Sequence, residues 1–302
     1  MKVFCTDSFQ LPLPENHRFP LEKYRLLRQR VMADLGGQVQ GVVPAAASDP
    51  QLALAHDAAH VHKVTAGLLT PLEQRRIGFP WSSQLVERAR RSTGATVQAG
   101  RAALVDHVAV NLAGGTHHAS ATASGGFCVF NDVAVAIRVL QAEGRIRQAI
   151  VIDCDVHQGN GTAAIFANDP TVFTFSMHGE RNFPFAKTSG DLDIALADGT
   201  GDAEYLSVLA ATLKSQIPWQ TADCVFYLAG ADPYQQDRWG RLKLSKDGLR
   251  TRDQWVLRAC HTAGLPVVIT MAGGYARDIR HTVDIQAATV ATAYQLFQAA
   301  TA

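Results

Sequence analysis

Residues 149–161 read Ala-Ile-Val-Ile-Asp-Cys-Asp-Val-His-Gln-Gly-Asn-Gly. The apolar, β-branched run 149–152 has the pattern of a strand covered on both faces, and it stops abruptly at two carboxylates and an imidazole. Alternation along an extended chain predicts Asp153, Asp155 and His157 on one face, with Cys154 and Val156 on the other. Carboxylates at the end of a core strand are costly to bury without a positive partner. A divalent metal held by oxygen and nitrogen meets that need, and Gly159 and Gly161 let the backbone turn away from it.

Working outward, further apolar runs predict strands at Val3–Cys5, Val108–Leu112, Ala149–Asp155, Val172–Met177, Cys224–Ala229 and Pro266–Met271. Helical spacing appears between them at Leu21–Leu35, Asn131–Glu143, Ala203–Gln216, Thr251–Ala263 and Asp278–Ala299. Strands alternating with helices predict an α/β fold, an open and mainly parallel sheet sandwiched by helices. Repeats, low-complexity tracts and long linkers are lacking, so residues 1–302 are expected to form a single domain. Between Val39 and Pro80 the pattern is weakest.

Bulk composition narrows the function classes. The 302 residues are 47% hydrophobic and 18% charged, as in ordinary globular proteins. Twenty-eight Lys and Arg against 27 Asp and Glu leave a formal charge of +1, with no overall field for nucleic acid or an anionic membrane. Met1–Glu15 has one lysine and no apolar core, so no signal peptide is expected, and no stretch reaches the roughly 20 apolar residues of a membrane span. The five cysteines lack CxxC spacing, which points away from disulfides or thiolate zinc and towards a reducing cytoplasm.

The unusual polar residues follow strands. Gly114–His118 comes after one apolar run, Asp153–His157 ends another, and His178, Asp232 and Gly273–Tyr275 follow three more. In an open parallel sheet, ligands bind outside the carboxyl ends of strands. His117 and His118 can act as an acid/base pair if their surroundings part their pKa values. Asp232, before Pro233, completes an Asp/His/Asp set with Asp155 and His157, three ligands that leave a coordination position open. Tyr275 is a neutral donor at pH 7 and suits an oxyanion. Phe127, in Gly125–Asp132, can wall a substrate channel, whereas Asn131 or Asp132 reads as a helix cap. His56, His60 and His62 are expected to be solvated or capping, and Arg88–Arg91 to be an exposed helix end.

Five motifs in order, Gly-Gly-Thr-His-His-Ala (114–119), Gly-Phe-Cys-Val-Phe-Asn-Asp (126–132), Asp-Cys-Asp-Val-His-Gln-Gly-Asn-Gly (153–161), Gly-Ala-Asp-Pro (230–233) and Gly-Gly-Tyr (273–275), resemble the zinc-dependent histone deacetylase family of the arginase–deacetylase fold. His17–Tyr24, Arg75–Ser82 and Tyr227–Asp232 look most like its class IV branch and bacterial relatives. The resemblance implies one zinc on Asp155, His157 and Asp232, with His117 and His118 flanking the reacting water and Tyr275 facing the acyl carbonyl. It implies that Asp153 pairs with His117 and helps hold a structural potassium ion with Asp155, His157, Ser176 and Met177. Gly126, Phe127 and Phe183 are implied to line an acyl-lysine tunnel, and His178 to be structural. Many members carry Asp where this chain has Asn160, so His118 is oriented here by an amide without negative charge.

The expected activity is metal-dependent hydrolysis of an acylated lysine in a peptide or protein. Alternatives are an acetylpolyamine or other small-amide hydrolase of the same fold, and an inactive acyl-lysine-binding module. The residues leave open zinc against iron(II), acyl length and oligomeric state.

Overall fold

A computed structural model describes residues 1–9 and 11–297. Its strands are β1 (Lys2–Phe4), β2 (Gln40–Val42), β3 (Val108–Asn111), β4 (Ala149–Asp153), β5 (Val172–Gly179), β6 (Leu192–Leu196), β7 (Cys224–Leu228) and β8 (Val267–Thr270). They form one sheet in the order β2-β1-β3-β8-β7-β4-β5-β6, with every pairing parallel. Parallel sheets are covered on both faces, and side-chain alternation sorts this one into two cores. Ile150, Ile152, Tyr227 and Ile269 enter one core, whereas Val151, Phe226, Leu228 and Val268 enter the other.

The helices are α1 (Lys23–Leu35), α2 (Asp49–Leu52), α3 (Ala58–Thr65), α4 (Pro71–Ile77), α5 (Ser83–Asp106), α6 (Asp132–Ala142), α7 (Asn160–Phe166), α8 (Asp202–Ser215), α9 (Lys246–Thr262) and α10 (Ile279–Phe297). Leu27 of α1, Leu209 of α8, Val256 of α9 and Val290 of α10 cover the first core. Val64 of α3, Ala99 of α5, Leu140 of α6 and Phe166 of α7 cover the second. The result is a three-layer α/β/α sandwich, as the alternation predicts. Among the described residues no helix is long and apolar enough to cross a membrane.

Several boundaries differ from expectation for identifiable reasons. β4 ends at Asp153, so Asp155 and His157 lie on the bend that follows and not on a continued strand. β5 runs on to Gly179, so His178 lies inside it. The unexpected strands β2 and β6 are the two sheet edges, where half the ladder is unpaired and little apolar sequence is needed. α9 starts at Lys246, where the Ser245 hydroxyl accepts the Gly248 N–H at 2.9 Å. Arg88–Arg91 lie near the start of the 24-residue α5, not at an exposed end. Arg88 is buried and donates to the carbonyls of Thr6 and Phe9 at 2.9 and 3.0 Å. All five cysteines are free and buried. Residues 298–299 of the expected last helix lie outside the described residues.

One buried ion pair braces the strand ends. Arg252 of α9 is wholly buried and donates to the carbonyls of Cys154 and Gly230 at 3.2 and 2.6 Å, and to Asp253 at 2.8 Å. Asp253 also accepts from the hydroxyls of Tyr227 and Thr289. The guanidinium thus links the backbone just before Asp155 to the backbone just before Ala231 and Asp232. Removing one member strands the other charge in the core, a loss of about 3–5 kcal/mol. Urea unfolding of Arg252→Leu should register a loss of that size. Asp284→Asn, which breaks half-exposed pairs with Arg30 and Lys246, should change stability by about 1 kcal/mol or less.

Candidate active site

Strands β3, β8, β7 and β4 are consecutive in the sheet, although widely separated in the chain. Their carboxyl ends deliver Gly114–His118, Gly273–Tyr275, Asp232 and Asp155–His157 to one crevice. One ligand atom from each of Asp155, His157 and Asp232 lies within 4.8 Å of the others. His157 Nδ1 is 3.0 Å from Asp155 Oδ1 and 3.2 Å from Asp232 Oδ2. Backbone amides aim both carboxylates: Gly273 donates to Asp155 at 2.7 Å, and Val156 to Asp232 at 2.9 Å. A Cβ at Gly273 would sit 1.9 Å from Asp232 Oδ2, so only glycine permits this approach.

The group carries electrostatic tension. Burial pushes Asp232 up to about 7, and the charge on Asp155 adds to the effect. Burial also raises Asp155, but the His117 and His157 imidazoles outweigh it and hold this carboxyl below its usual range. His157 is opposed by burial yet pushed up to about 10 by hydrogen bonds to Asp155 and Asp232. Two buried carboxylates and one imidazole converging on one point make a donor set suited to a divalent cation of zinc type, whose charge would relieve the repulsion between the acids.

The paired histidines occupy different environments. His117 Nδ1 lies 2.6 Å from Asp153 Oδ2, and its Nε2 is 3.9 Å from Asp155 Oδ1. Burial disfavours its charged form, but Asp153 and Asp155 push it up to about 9. His118 donates from Nδ1 to the amide oxygen of Asn160 at 2.7 Å, which leaves Nε2 as a lone pair. Burial and the charges of His117 and His157 hold His118 well below the usual imidazole range. With ring centroids only 4.2 Å apart, one ring is set up as a cation and its neighbour as a neutral base.

A cavity of about 680 Å³ opens over this group. Phe127 lines it with a left-handed backbone (φ 65°), strain that neighbouring rings help to hold: Phe19 at 5.1 Å and Trp239 at 5.7 Å. Phe183 stands edge-on to His118 at 4.8 Å and is 42% exposed, so it forms rim more than wall. Gly126, at φ 54°, passes so close to His118 that an added Cβ would lie 2.5 Å from the ring. The Tyr275 ring packs 4.3 Å from Trp239 and beneath the Lys23 ammonium. Burial holds its phenol well above the ordinary value, and among the described residues its hydroxyl has no hydrogen-bond partner.

The expected cap is present, and some supporting roles around it had no signal in the sequence. Asn131 is the cap of α6, accepting from Ala134 at 3.0 Å, and this frees Asp132 for another task. Asp132, wholly buried, accepts from the N–H groups of Gly115 and Thr116 and from the Thr96 and Thr116 hydroxyls, fixing the loop that presents the histidine pair. Asp237 accepts the Tyr275 N–H at 2.7 Å and so sets the tyrosine loop. Only the turn-like Asp237–Gly240 segment soon after Asp232 could have hinted at it. His56 and His60 are buried, not solvated, and stand outside the metal group. His56 accepts the Asn131 N–H at 2.9 Å. Ser176 meets His178 at 3.0 Å, and with Asp153 it borders a cavity of about 10 Å³; His157 and Met177 do not line it.

The histone deacetylase domain matches residues 17–291. The chain belongs to the histone deacetylase family. It is 44% identical over 287 residues to an uncharacterized protein of Picosynechococcus sp., covering 93% of this chain and 94% of that one. Histone deacetylase 2 of Arabidopsis thaliana is 32% identical over 68% of this chain and 51% of its own length. The acetoin utilization protein AcuC of Staphylococcus aureus is 27% identical over 90% and 76% respectively. The crystal structure of the HDA15 HD domain superposes with a TM-score of 0.79 at 22% identity, covering 98% of this chain and 87% of that one. The family consists of hydrolases that depend on a metal, usually zinc.

Protons compete with a cation for these donors. His157 holds a proton below about pH 10 and Asp232 below about pH 7, so apparent zinc affinity should fall by about tenfold per pH unit from pH 9 to 7 and by about a hundredfold per unit below 7. Chelator competition would measure it, and Asp232→Asn should abolish tight binding.

Proposed function

We propose that this family member removes the acyl group from acylated lysine in peptides or proteins. Asp155, His157 and Asp232 hold a single zinc ion, and His117, His118 and Tyr275 are the catalytic residues. One observation carries the reading: two adjacent imidazoles of opposite charge preference face the same buried Asp/His/Asp group as an unpaired phenol.

A zinc ion bound there supplies a Lewis acid and lowers the pKa of its water to about 7. His118 Nε2 takes the proton of the attacking water, because Asn160 occupies Nδ1 and burial keeps the ring neutral. His117, cationic beside Asp153, places positive charge next to the reacting centre and keeps His118 from protonating prematurely. The Tyr275 hydroxyl donates to the acyl oxygen as negative charge develops on it. His118 then returns its proton to the departing amine. Gly126 and Phe127, with Phe183 at the rim, guide the acylated side chain past the aromatic wall.

Asp153 and Ser176, with the carbonyls of His157 and Met177, are assigned to a structural potassium ion. That assignment rests on the family resemblance, since of the set only Asp153 and Ser176 border the small cavity there. Five free, buried cysteines agree with a reducing, cytoplasmic setting.

Two variants test the roles. Tyr275→Phe should keep its zinc and lose about 10²–10³-fold in kcat on an acetyl-lysine peptide, the loss typical of one oxyanion donor; wild-type turnover would reject the assignment. Asn160→Asp places a carboxylate beside His118, raises its imidazolium pKa and moves the acid limb of the kcat/KM–pH profile upward. A series of acyl chain lengths on the same peptide would fix the preferred acyl group.

A further inference from the structure

The floor of the large cavity is acidic, but its mouth is not. Arg18, Arg76, Arg181, Arg238 and Arg241 line it, and all five are exposed. Asp155 and Asp232, at the floor, are the only acidic residues that line it among the described residues. Of the five guanidiniums, only Arg241 has an ion pair among the described residues, with Asp198 at 3.0 Å. Arg18 lies over the Trp239 ring, and Arg238 donates to the Arg277 carbonyl, contacts that leave their charge uncompensated. Of the acids nearby, Asp278 pairs with Arg280 and Glu180 acts on Lys187. Glu22, which lines the adjoining cavity with Arg18 and Arg238, forms no ion pair with either among the described residues and is one carboxylate against five guanidiniums. Such a ring is unexpected on a chain whose formal charge is +1.

Like charges around a low-dielectric cleft reinforce one another and focus their field at the opening. Arginine is also the side chain whose planar fork matches carboxylates. Lysine-rich tails and polyamines would meet repulsion at this mouth, and repulsion against the wrong partner is as much a source of specificity as attraction to the right one.

Resting on the amide-hydrolase reading above, we propose that the arginine ring selects acyl-lysine held in acidic peptide segments, with Asp or Glu flanking the modified residue, over acyl-lysine in basic segments and over acylated polyamines. The neutral acyl-lysine stem enters the aromatic tunnel while flanking carboxylates remain outside on the guanidiniums.

Fluorescent acetyl-lysine peptides of one length, with Asp/Glu, Ser/Gly or Lys/Arg flanks, test this on the zinc-loaded protein. Turnover gives kcat/KM, and fluorescence anisotropy gives binding independently of turnover. At low salt the acidic peptide should exceed the neutral one by about tenfold in both, and the neutral should exceed the basic by a similar factor. In 0.5 M NaCl the three should converge, because exposed charges are screened. Arg76→Glu/Arg181→Glu, both at exposed positions, should reverse the order. Equal binding of the three peptides, or preference for the basic one, overturns the proposal. Failure to hydrolyse even the neutral peptide would instead refute the amide-hydrolase reading, and anisotropy would still decide the charge preference.

Discussion

Two carboxylates buried side by side repel each other, and much of this architecture can be read as the means of holding Asp155 and Asp232 together regardless. Their backbones leave adjacent strands, β4 and β7, in parallel register. Amides of Val156 and Gly273 aim them, and His157 lies between them. Beneath both, the Arg252 guanidinium ties the Cys154 and Gly230 carbonyls together. No polar group in this arrangement could be lost cheaply, because each is desolvated and each has a partner that would be stranded. The resulting concentration of negative charge is what makes a cation at that point favourable.

The same desolvation sorts the two histidines. Adjacent in sequence and nearly touching, they share a dielectric environment but not a partner: His117 faces a carboxylate and His118 an amide. Against the cost of burial, the carboxylates of Asp153 and Asp155 favour charge on His117, while burial and the charges of His117 and His157 disfavour it on His118, whose partner is only an amide. Burial thus turns two chemically identical side chains into a cation and a base. Asp132 matters for a different reason, since its hydrogen bonds to Gly115 and Thr116 fix the loop on which both rings ride.

Much of the fold was legible because a covered parallel sheet demands apolar runs, and six of the eight strands announced themselves in that way. The edge strands β2 and β6 did not, because an edge needs less burial. The long α5 escaped because its arginines, serines and glutamines dilute its apolar face, and Arg88 misled because a buried arginine satisfied by carbonyls looks, in sequence, like an exposed one. At the site, Asp155, His157, Asp232, the histidine pair and Tyr275 were legible as polar residues placed where a core strand ends. Asp132, Asp237 and Arg252 were not, since the contacts that matter, to Gly115 and Thr116, to Tyr275, and to the Cys154 and Gly230 carbonyls, lie 16 or more residues away, and their local contacts look like those of caps, turns or surface charges.

By itself, the sequence determined the α/β class, the family and the identity of the residues that meet at the crevice, because hydrophobic patterning and ordered motifs are local properties of the chain. Only the tertiary structure decided that β3, β8, β7 and β4 are neighbours, and therefore that motifs about 40 to 160 residues apart share one cavity. It also decided the charge of each histidine and the ring of arginines at the mouth. Those depend on distance and desolvation, which exist only once the strands have been brought side by side.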